Sequence, residues 1–168
     1  MNRKYRGVVI AANWKMNRTP ALLKAYAETL KSLVGHARWC DIVICPSFVS
    51  IPGAIKSFRG SRVSVGAQDV SAFDAGAYTG EVSARQLSET GVRYVIVGHS
   101  ERRARYGEDD VTVGKKVRMA LGANLRPIIC VGEGLQQRDM GLRHLAARLC
   151  MDLLHGAGKA DIHPAGGQ

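Results

Sequence analysis

Short apolar runs alternate along the chain with longer segments in which apolar residues recur at helical spacing. Runs that are apolar on both faces are typical of strands buried in a parallel sheet, and the longer segments are typical of helices that cover it. The pattern predicts five strands, at Val8–Ala12, Asp41–Cys45, Arg62–Ala67, Tyr94–Val97 and Pro127–Val131. The chain is therefore predicted to be an α/β protein with crossover helices.

Local signals place helices between these strands. Thr19 provides an N-cap ahead of Pro20, which suits the first helical position. Ser83 and Gln86 have the spacing of a capping box, and Gly91 ends the helix that follows. Helices are predicted at about residues 20–34, 51–58, 83–90, 110–121 and 142–154, and a long loop at 68–81.

Polar residues follow the carboxyl ends of the predicted strands. Asn13 and Lys15 come after the first strand, Gln68 after the third, residues 99–101 after the fourth and Glu133 after the fifth. In a (β/α) barrel this edge carries the chemistry. The glycine-rich fingerprints of nucleotide-binding doubly wound sheets do not follow the first strand. The pattern therefore favours a barrel over an open doubly wound sheet.

Composition and charge narrow the classes of ligand. The 168 residues are 46% hydrophobic and 23% charged, which is ordinary for a globular protein. No apolar run approaches the roughly 18 residues of a membrane span, so no membrane partner is predicted. The net charge is +10, but no block of five or more like charges occurs. We interpret this as a diffusely basic surface that suits a phosphorylated small molecule, with nucleic-acid binding as the less favoured alternative.

The four cysteines predict neither a metal site nor a redox motif. They include no C-x-x-C, and no histidine lies near them at metal-ligand spacing. Cys45 and Cys130 fall inside apolar strands and are expected to be buried, reduced thiols of a cytosolic protein. The basic start at residues 1–6 is similar to the start of a signal peptide, but no small-residue cleavage site follows the apolar run. Secretion is therefore not expected.

Four motifs in order are closely similar to those of one enzyme family. Ala12–Asn17 follows the first strand and reads ANWKMN, and Tyr94–Arg103 reads YVIVGHSERR. Between and after them come Gly76–Gly80, GAYTG, and Pro127–Glu133, PIICVGE. At this spacing, over about residues 8–154, the chain resembles triosephosphate isomerase.

The resemblance implies a fold and an activity. The fold is a TIM (β/α)8 barrel, truncated to about five β/α units, with residues 1–155 as a partial barrel and residues 156–168 as an irregular tail. The activity is that of an intramolecular aldose–ketose isomerase of glycolysis and gluconeogenesis. It interconverts dihydroxyacetone phosphate and glyceraldehyde 3-phosphate through an enediolate. The family further implies a cytoplasmic homodimer that needs no metal or organic cofactor.

The resemblance also implies a role for each residue of the site. Lys15 would place an ammonium beside the phosphorylated substrate and the enediolate oxygens, and Asn13 would hydrogen-bond substrate and orient that lysine. His99 would be the neutral electrophile. Ser100 and Glu101 begin a helix, and the positive end of that helix disfavours the imidazolium, an effect already described for this family. Glu101 would support catalysis by pairing with Lys15.

The long third loop is implied to be an interface. In the family this loop reaches into a neighbouring subunit, and Tyr78 and Thr79 lie at the tip of the matching segment. Tyr78 is an aromatic residue of the kind that anchors interfaces. Arg102 and Arg103, in contrast, are expected to form surface or inter-helix ion pairs.

The family's general base has no counterpart in the 168 residues. It is a glutamate after the sixth strand, in a Tyr-Glu-Pro-Val-Trp-like stretch that does not occur here. Two hypotheses follow: an isomerase-family chain that lacks this base, or a non-catalytic truncated paralogue or fragment that acts as an interaction module. Truncation, a frameshift, a partial chain and a remnant completed by another polypeptide all stay open. Open strand edges would favour heterogeneous oligomers over a clean dimer.

Overall fold

The structure, a computed structural model, describes residues 7–132. Within them, five parallel strands form one sheet in which each strand pairs with the one before it along the chain. The strands are β1 (Val8–Asn13), β2 (Cys40–Cys45), β3 (Val63–Ala67), β4 (Tyr94–Val97) and β5 (Arg126–Ile129). The predicted α/β class and the five predicted strands are confirmed, with strand ends within two residues of the prediction.

Within residues 7–132, five α-helices connect or follow the strands. They are α1 (Leu23–Val34), α2 (Ile51–Phe58), α3 (Ala84–Glu89), α4 (Ser100–Tyr106) and α5 (Asp110–Gly122). No helix within residues 7–132 has the length and apolarity needed to cross a membrane. The helix predicted at 142–154, the boundary at residue 155 and the tail at 156–168 lie outside the described residues.

Two predicted N-caps have different outcomes. The capping box of α3 is confirmed, since Ser83 Oγ accepts from the Gln86 N–H and Gln86 Oε1 accepts from the Ser83 N–H. Pro20 begins a 3-10 turn, Pro20–Leu22, as its fixed φ angle favours. Thr19, however, accepts no side-chain cap hydrogen bond from the described residues that follow it. Its carbonyl instead accepts from the Leu22 N–H at 3.1 Å.

The apolar core lies on the central strands and against the helices. Val43 in β2 and Val95 and Val97 in β4 have no exposed surface. Gly66 in β3 is needed where the strands approach closely, because a Cβ built on it would lie 2.7 Å from Cys45 Sγ. The structure confirms that Cys45 is buried.

The prediction that β1 is buried on both faces is wrong. Val9 is 43% exposed and Ile10 is 47% exposed. Apolar side chains on both faces indicate a strand that suits burial, but burial also requires neighbouring elements on each side. Among residues 7–132, β1 pairs only with β2, so it is an edge strand of the described sheet.

The fifth strand also differs from its prediction. It ends at Ile129, so Cys130 follows the strand, and Cys130 is half-buried rather than buried. The strand itself is half-buried over residues 127–129. A run of apolar residues therefore marked the strand correctly but placed its end two residues too late.

Candidate active site

Polar residues from three strand ends lie at one edge of the sheet. Asn13 is the last residue of β1, Gln68 directly follows β3, and His99 lies two residues after β4. Because the strands are parallel, these carboxyl ends are on the same side of the sheet. Lys15 lies two residues beyond β1. Glu133, predicted for the same edge, lies outside the described residues.

A buried tryptophan fixes the turn that follows β1. Trp14 is 6% exposed, and its backbone N–H donates to the Cys45 carbonyl at the end of β2 over 3.0 Å. Its ring meets Tyr26 of α1 edge to face, with centroids 4.8 Å apart. The Arg18 guanidinium lies over both rings. The backbone is therefore fixed just before Lys15, whereas Lys15 itself stays exposed.

Lys15 has a backbone conformation that few side chains adopt. Its φ angle is +52°, in the left-handed region that costs a non-glycine residue about 1–2 kcal/mol. Its N–H donates to Asn13 Oδ1 at 2.9 Å, and its carbonyl accepts from Gln68 Nε2 at 2.9 Å. These two hydrogen bonds stabilise the turn on both sides of the Lys15 Cα.

The Lys15 side chain pairs with Glu101 in the first turn of α4. Lys15 Nζ lies 2.7 Å from Glu101 Oε1, and both side chains are about half exposed. The hydrogen bond from Lys15 holds the pKa of the Glu101 carboxyl below its ordinary value. An exposed pair adds little to the free energy of unfolding. Its effect is to place an ammonium, from the end of β1, beside the residues that follow β4.

His99 caps the N-terminus of α4 with its imidazole ring. Its Nδ1 atom accepts from the Glu101 N–H at 3.2 Å and lies 3.6 Å from Glu101 Oε2. To accept a hydrogen bond, Nδ1 must carry a lone pair, which an imidazolium lacks. The arrangement therefore fits the neutral ring with its proton on Nε2, which remains available as a donor.

Arg103 fixes the backbone just before His99. Gly98 has a φ angle of +70°, and its carbonyl accepts from Arg103 Nε at 2.9 Å. The same guanidinium donates to Asp110 Oδ1 at the start of α5 over 2.8 Å. A side chain at position 98 would be strained by that φ angle and would lie 3.1 Å from Val113. Arg103 therefore forms the inter-helix pair that the sequence predicted.

A buried cluster of charges lies next to the site and was not predicted. Lys116 of α5, only 4% exposed, donates to both carboxylate oxygens of Asp69, at 2.7 and 2.9 Å, and to Glu108. Arg102 of α4 pairs with the same two carboxylates. The prediction of a surface or inter-helix pair for Arg102 is wrong, because its partners come from the loops after β3 and before α5. Together these two cations and two carboxylates form four ion pairs.

The pKa values of the two carboxyls in this cluster are shifted in opposite directions. Burial raises the pKa of Asp69, although Lys116 and Arg102 oppose the rise. Glu108 is desolvated too, but hydrogen bonds from Lys116 and Arg102 hold its pKa below the ordinary value. Burial therefore favours the protonated form of Asp69, whereas the hydrogen bonds favour the charged form of Glu108.

The sequence contained a signal for this cluster. Lys116 falls on the apolar face of its helix, at helical spacing with Val113, Val117 and Ala120, all of which are buried. A lysine on that face requires a buried counter-charge. Which carboxylates provide it depends on the packing of α5 against the loop after β3, and no local pattern contains that information.

The predicted interface residues lie on an exposed loop. Tyr78 is 42% exposed, Thr79 is also exposed, and the Tyr78 ring stacks on Phe73 with centroids 4.0 Å apart. Gly76 and Gly80 on either side have φ angles of +131° and +92°, which bring the loop back on itself.

Within residues 7–132, no three His, Cys, Asp or Glu side chains are close enough to hold a metal ion.

Comparison with known proteins identifies the family. The family model described as triosephosphate isomerase matches residues 8–165. The triosephosphate isomerase of Clostridium botulinum (strain Loch Maree / Type A3) is 48% identical over 134 residues, which cover 80% of this chain and 54% of the relative. That of Moorella thermoacetica is 48% identical over 136 residues, or 81% and 54%. That of Clostridium novyi is 42% identical over 150 residues, or 88% and 60%. The chain spans about half the length of the curated relatives it matches.

Proposed function

The chain belongs to the triosephosphate isomerase family, and from this premise we propose that its site at the carboxyl edge of the sheet binds a phosphorylated triose and assists its isomerisation. One observation carries the proposal. Glu101 accepts from the Lys15 ammonium through its carboxylate and donates to His99 Nδ1 through its N–H. A cation and a neutral imidazole are thereby held next to each other at the edge where barrels of this class do their chemistry.

The two side chains suit the charge that develops during enolisation. When a proton leaves the carbon next to a carbonyl, negative charge moves to the carbonyl oxygen. A fixed ammonium stabilises that oxygen and the substrate phosphate by Coulomb attraction. His99 Nε2–H donates to the same oxygen, and the imidazole moves a proton between the two enediolate oxygens. Asn13 hydrogen-bonds substrate and, through its bond to the Lys15 N–H, orients the ammonium.

Proton abstraction from carbon needs a base that these residues do not supply. A protonated ammonium cannot accept a proton, and Glu101 is occupied by Lys15 and weakened as a base by its lowered pKa. The family's glutamate stretch does not occur in the 168 residues. We therefore propose that this chain contributes the binding and electrophilic half of an isomerase site. The alternative is a non-catalytic chain that acts as an interaction module.

Binding of 2-phosphoglycolate tests the proposal and distinguishes the alternative. This dianionic phosphate with a carboxylate resembles the enediolate, so it should perturb the His99 imidazole resonances in NMR titrations. Lys15→Met should weaken its binding about tenfold or more, since a hydrogen bond to a charged group contributes ~1.5–3 kcal/mol. Lys24→Met, on the exposed face of α1, is the control with the same loss of charge. Equal effects of the two substitutions, or no binding to the unaltered chain, would reject the site in favour of the interaction module.

We propose that the chain self-associates through two surfaces. One is the loop that carries Tyr78 and Thr79, which supports a symmetric dimer as in the family. The other is the edge of β1, where exposed Val9 and Ile10 offer an unselective strand-pairing surface. The strand edge is the less selective of the two, so association through it has no fixed stoichiometry.

Light scattering is expected to find heterogeneous oligomers rather than one dimer. Tyr78→Asp should leave the distribution of masses broad, whereas Ile10→Lys should narrow it, because a charge on an edge strand opposes pairing with another chain. Leu33→Lys, at a 75% exposed position on α1, serves as the matched control. A monodisperse dimer that Tyr78→Asp dissociates would contradict the role of the β1 edge.

A further inference from the structure

Gln68 connects three strand ends through one amide group. Its Nε2 atom donates one hydrogen bond to the Lys15 carbonyl and one to the Cys45 carbonyl, each at 2.9 Å. A side-chain amide has two N–H donors, so both are used. The residue directly after β3 thereby holds the end of β2 and the turn that follows β1. Neither the sequence motifs nor the proposed mechanism gives Gln68 a role.

The Lys15 turn depends on contacts of this kind. Lys15 has a left-handed φ angle of +52°, and such conformations persist only where surrounding groups hold them. Asn13 holds the N–H side of Lys15, and Gln68 holds the carbonyl side. If the carbonyl side is released, the peptide can rotate to an ordinary φ angle, and the side chain then leaves the turn in another direction.

The next residue, Asp69, is held in place by contacts of its side chain. Asp69 is 7% exposed, accepts from Lys116 and forms an ion pair with Arg102. Lys116 comes from α5 and Arg102 from α4, the helix that His99 caps. The Gln68–Asp69 segment is therefore fixed to the element that carries His99 and Glu101 on one side and to the Lys15 turn on the other.

We propose that Gln68 is a positioning residue, which holds the Lys15 ammonium against Glu101 and beside His99 without contacting substrate. The inference rests on the proposed function, because it concerns the geometry of the same site. A purely structural tie between β2 and β3 is the competing explanation, since Gln68 also binds the Cys45 carbonyl. The two explanations differ in what happens to the Lys15–Glu101 pair when the amide is removed.

The pKa of the Glu101 carboxyl reports on that pair without any turnover. The hydrogen bond from Lys15 is the largest effect on this pKa and lowers it, and Arg105 adds a smaller effect of the same sign. Gln68→Met keeps the approximate length of the side chain, removes both donors and introduces no charge. Carbon-13 NMR titration of Glu101 in the full chain should show a raised pKa in this variant. The rise should be smaller than that produced by Lys15→Met, which removes the ammonium outright.

Each outcome separates the positioning role from its competitor. If Gln68→Met lowers the unfolding midpoint but leaves the Glu101 pKa unchanged, while Lys15→Met raises it, the positioning role is wrong and the proposed function stands. If Lys15→Met also leaves the Glu101 pKa unchanged, the Lys15–Glu101 pair is absent in solution, and both proposals fail. Should Gln68→Met not fold, Gln68→Asn replaces it, since an amide shortened by one methylene cannot reach both carbonyls. The same rise in the Glu101 pKa is expected there.

Discussion

The purified 168-residue chain is expected to interconvert dihydroxyacetone phosphate and glyceraldehyde 3-phosphate at least about a thousandfold more slowly than a full-length relative. A positioned general base alone contributes about 10²–10⁴-fold to such a reaction. The described site offers a cation and a hydrogen-bond donor, and Glu101 is already paired with Lys15 at 2.7 Å. In the proposed mechanism both groups stabilise an enediolate once it exists, but neither removes the proton from carbon.

The measurement must exclude isomerase from the expression host, so the chain is produced in a host that lacks its own enzyme. Adding a polypeptide that supplies the sixth to eighth strands of a relative, including the glutamate stretch, should restore turnover. The same mixture with His99→Ala should remain inactive, because the added segment provides the base but not the electrophile. Ordinary turnover by the chain alone, abolished by His99→Ala, would show that the chain provides a base of its own.

Much of the fold and site was predictable because its signals are local or follow from strand direction. The capping box needs only Ser83 and Gln86, three residues apart, and both hydrogen bonds form. The approach of Lys15 to Glu101 joins residues 86 positions apart. It was still accessible from the sequence through the family motifs, and the common direction of parallel strands places both residues at the same edge.

The errors arose where the outcome depends on a neighbour. The side chains of β1 are as apolar as those of a buried strand, yet exposure is decided by which elements cover them, and Ile10 is 47% exposed. Arg102 follows His99 and Glu101 on a short helix, where a solvent-exposed pair is the ordinary outcome. Its actual partners, Asp69 and Glu108, become adjacent only when α4, α5 and the loop after β3 pack together.

This packing makes Lys116 the residue whose loss should affect stability most. Lys116→Met preserves much of the side-chain volume but removes one of the two cations of the described cluster. Asp69 and Glu108, both largely buried, are then left with Arg102 alone. Breaking a buried ion pair from one side costs about 3–5 kcal/mol, a large part of the ~5–15 kcal/mol that stabilises a typical domain. Denaturant titration should show this loss of unfolding free energy. Lys115→Met, at the exposed neighbouring position, should stay within about 0.5 kcal/mol of the parent.

The pH dependence distinguishes uncompensated charge from a packing defect. Burial already raises the pKa of Asp69 in the parent chain, and without Lys116 that rise is larger. A carboxyl whose pKa is higher in the folded than in the unfolded state favours folding at low pH and loses that contribution as the pH increases. The deficit of Lys116→Met should therefore shrink on acidification from neutral pH to about 4.5, near the ordinary pKa of a carboxyl. Adding Asp69→Asn should recover part of this deficit at neutral pH, because only one carboxylate, Glu108, then faces Arg102. A deficit that is independent of pH and of Asp69 would show that the methylene packing of Lys116, and not its charge, stabilises α5.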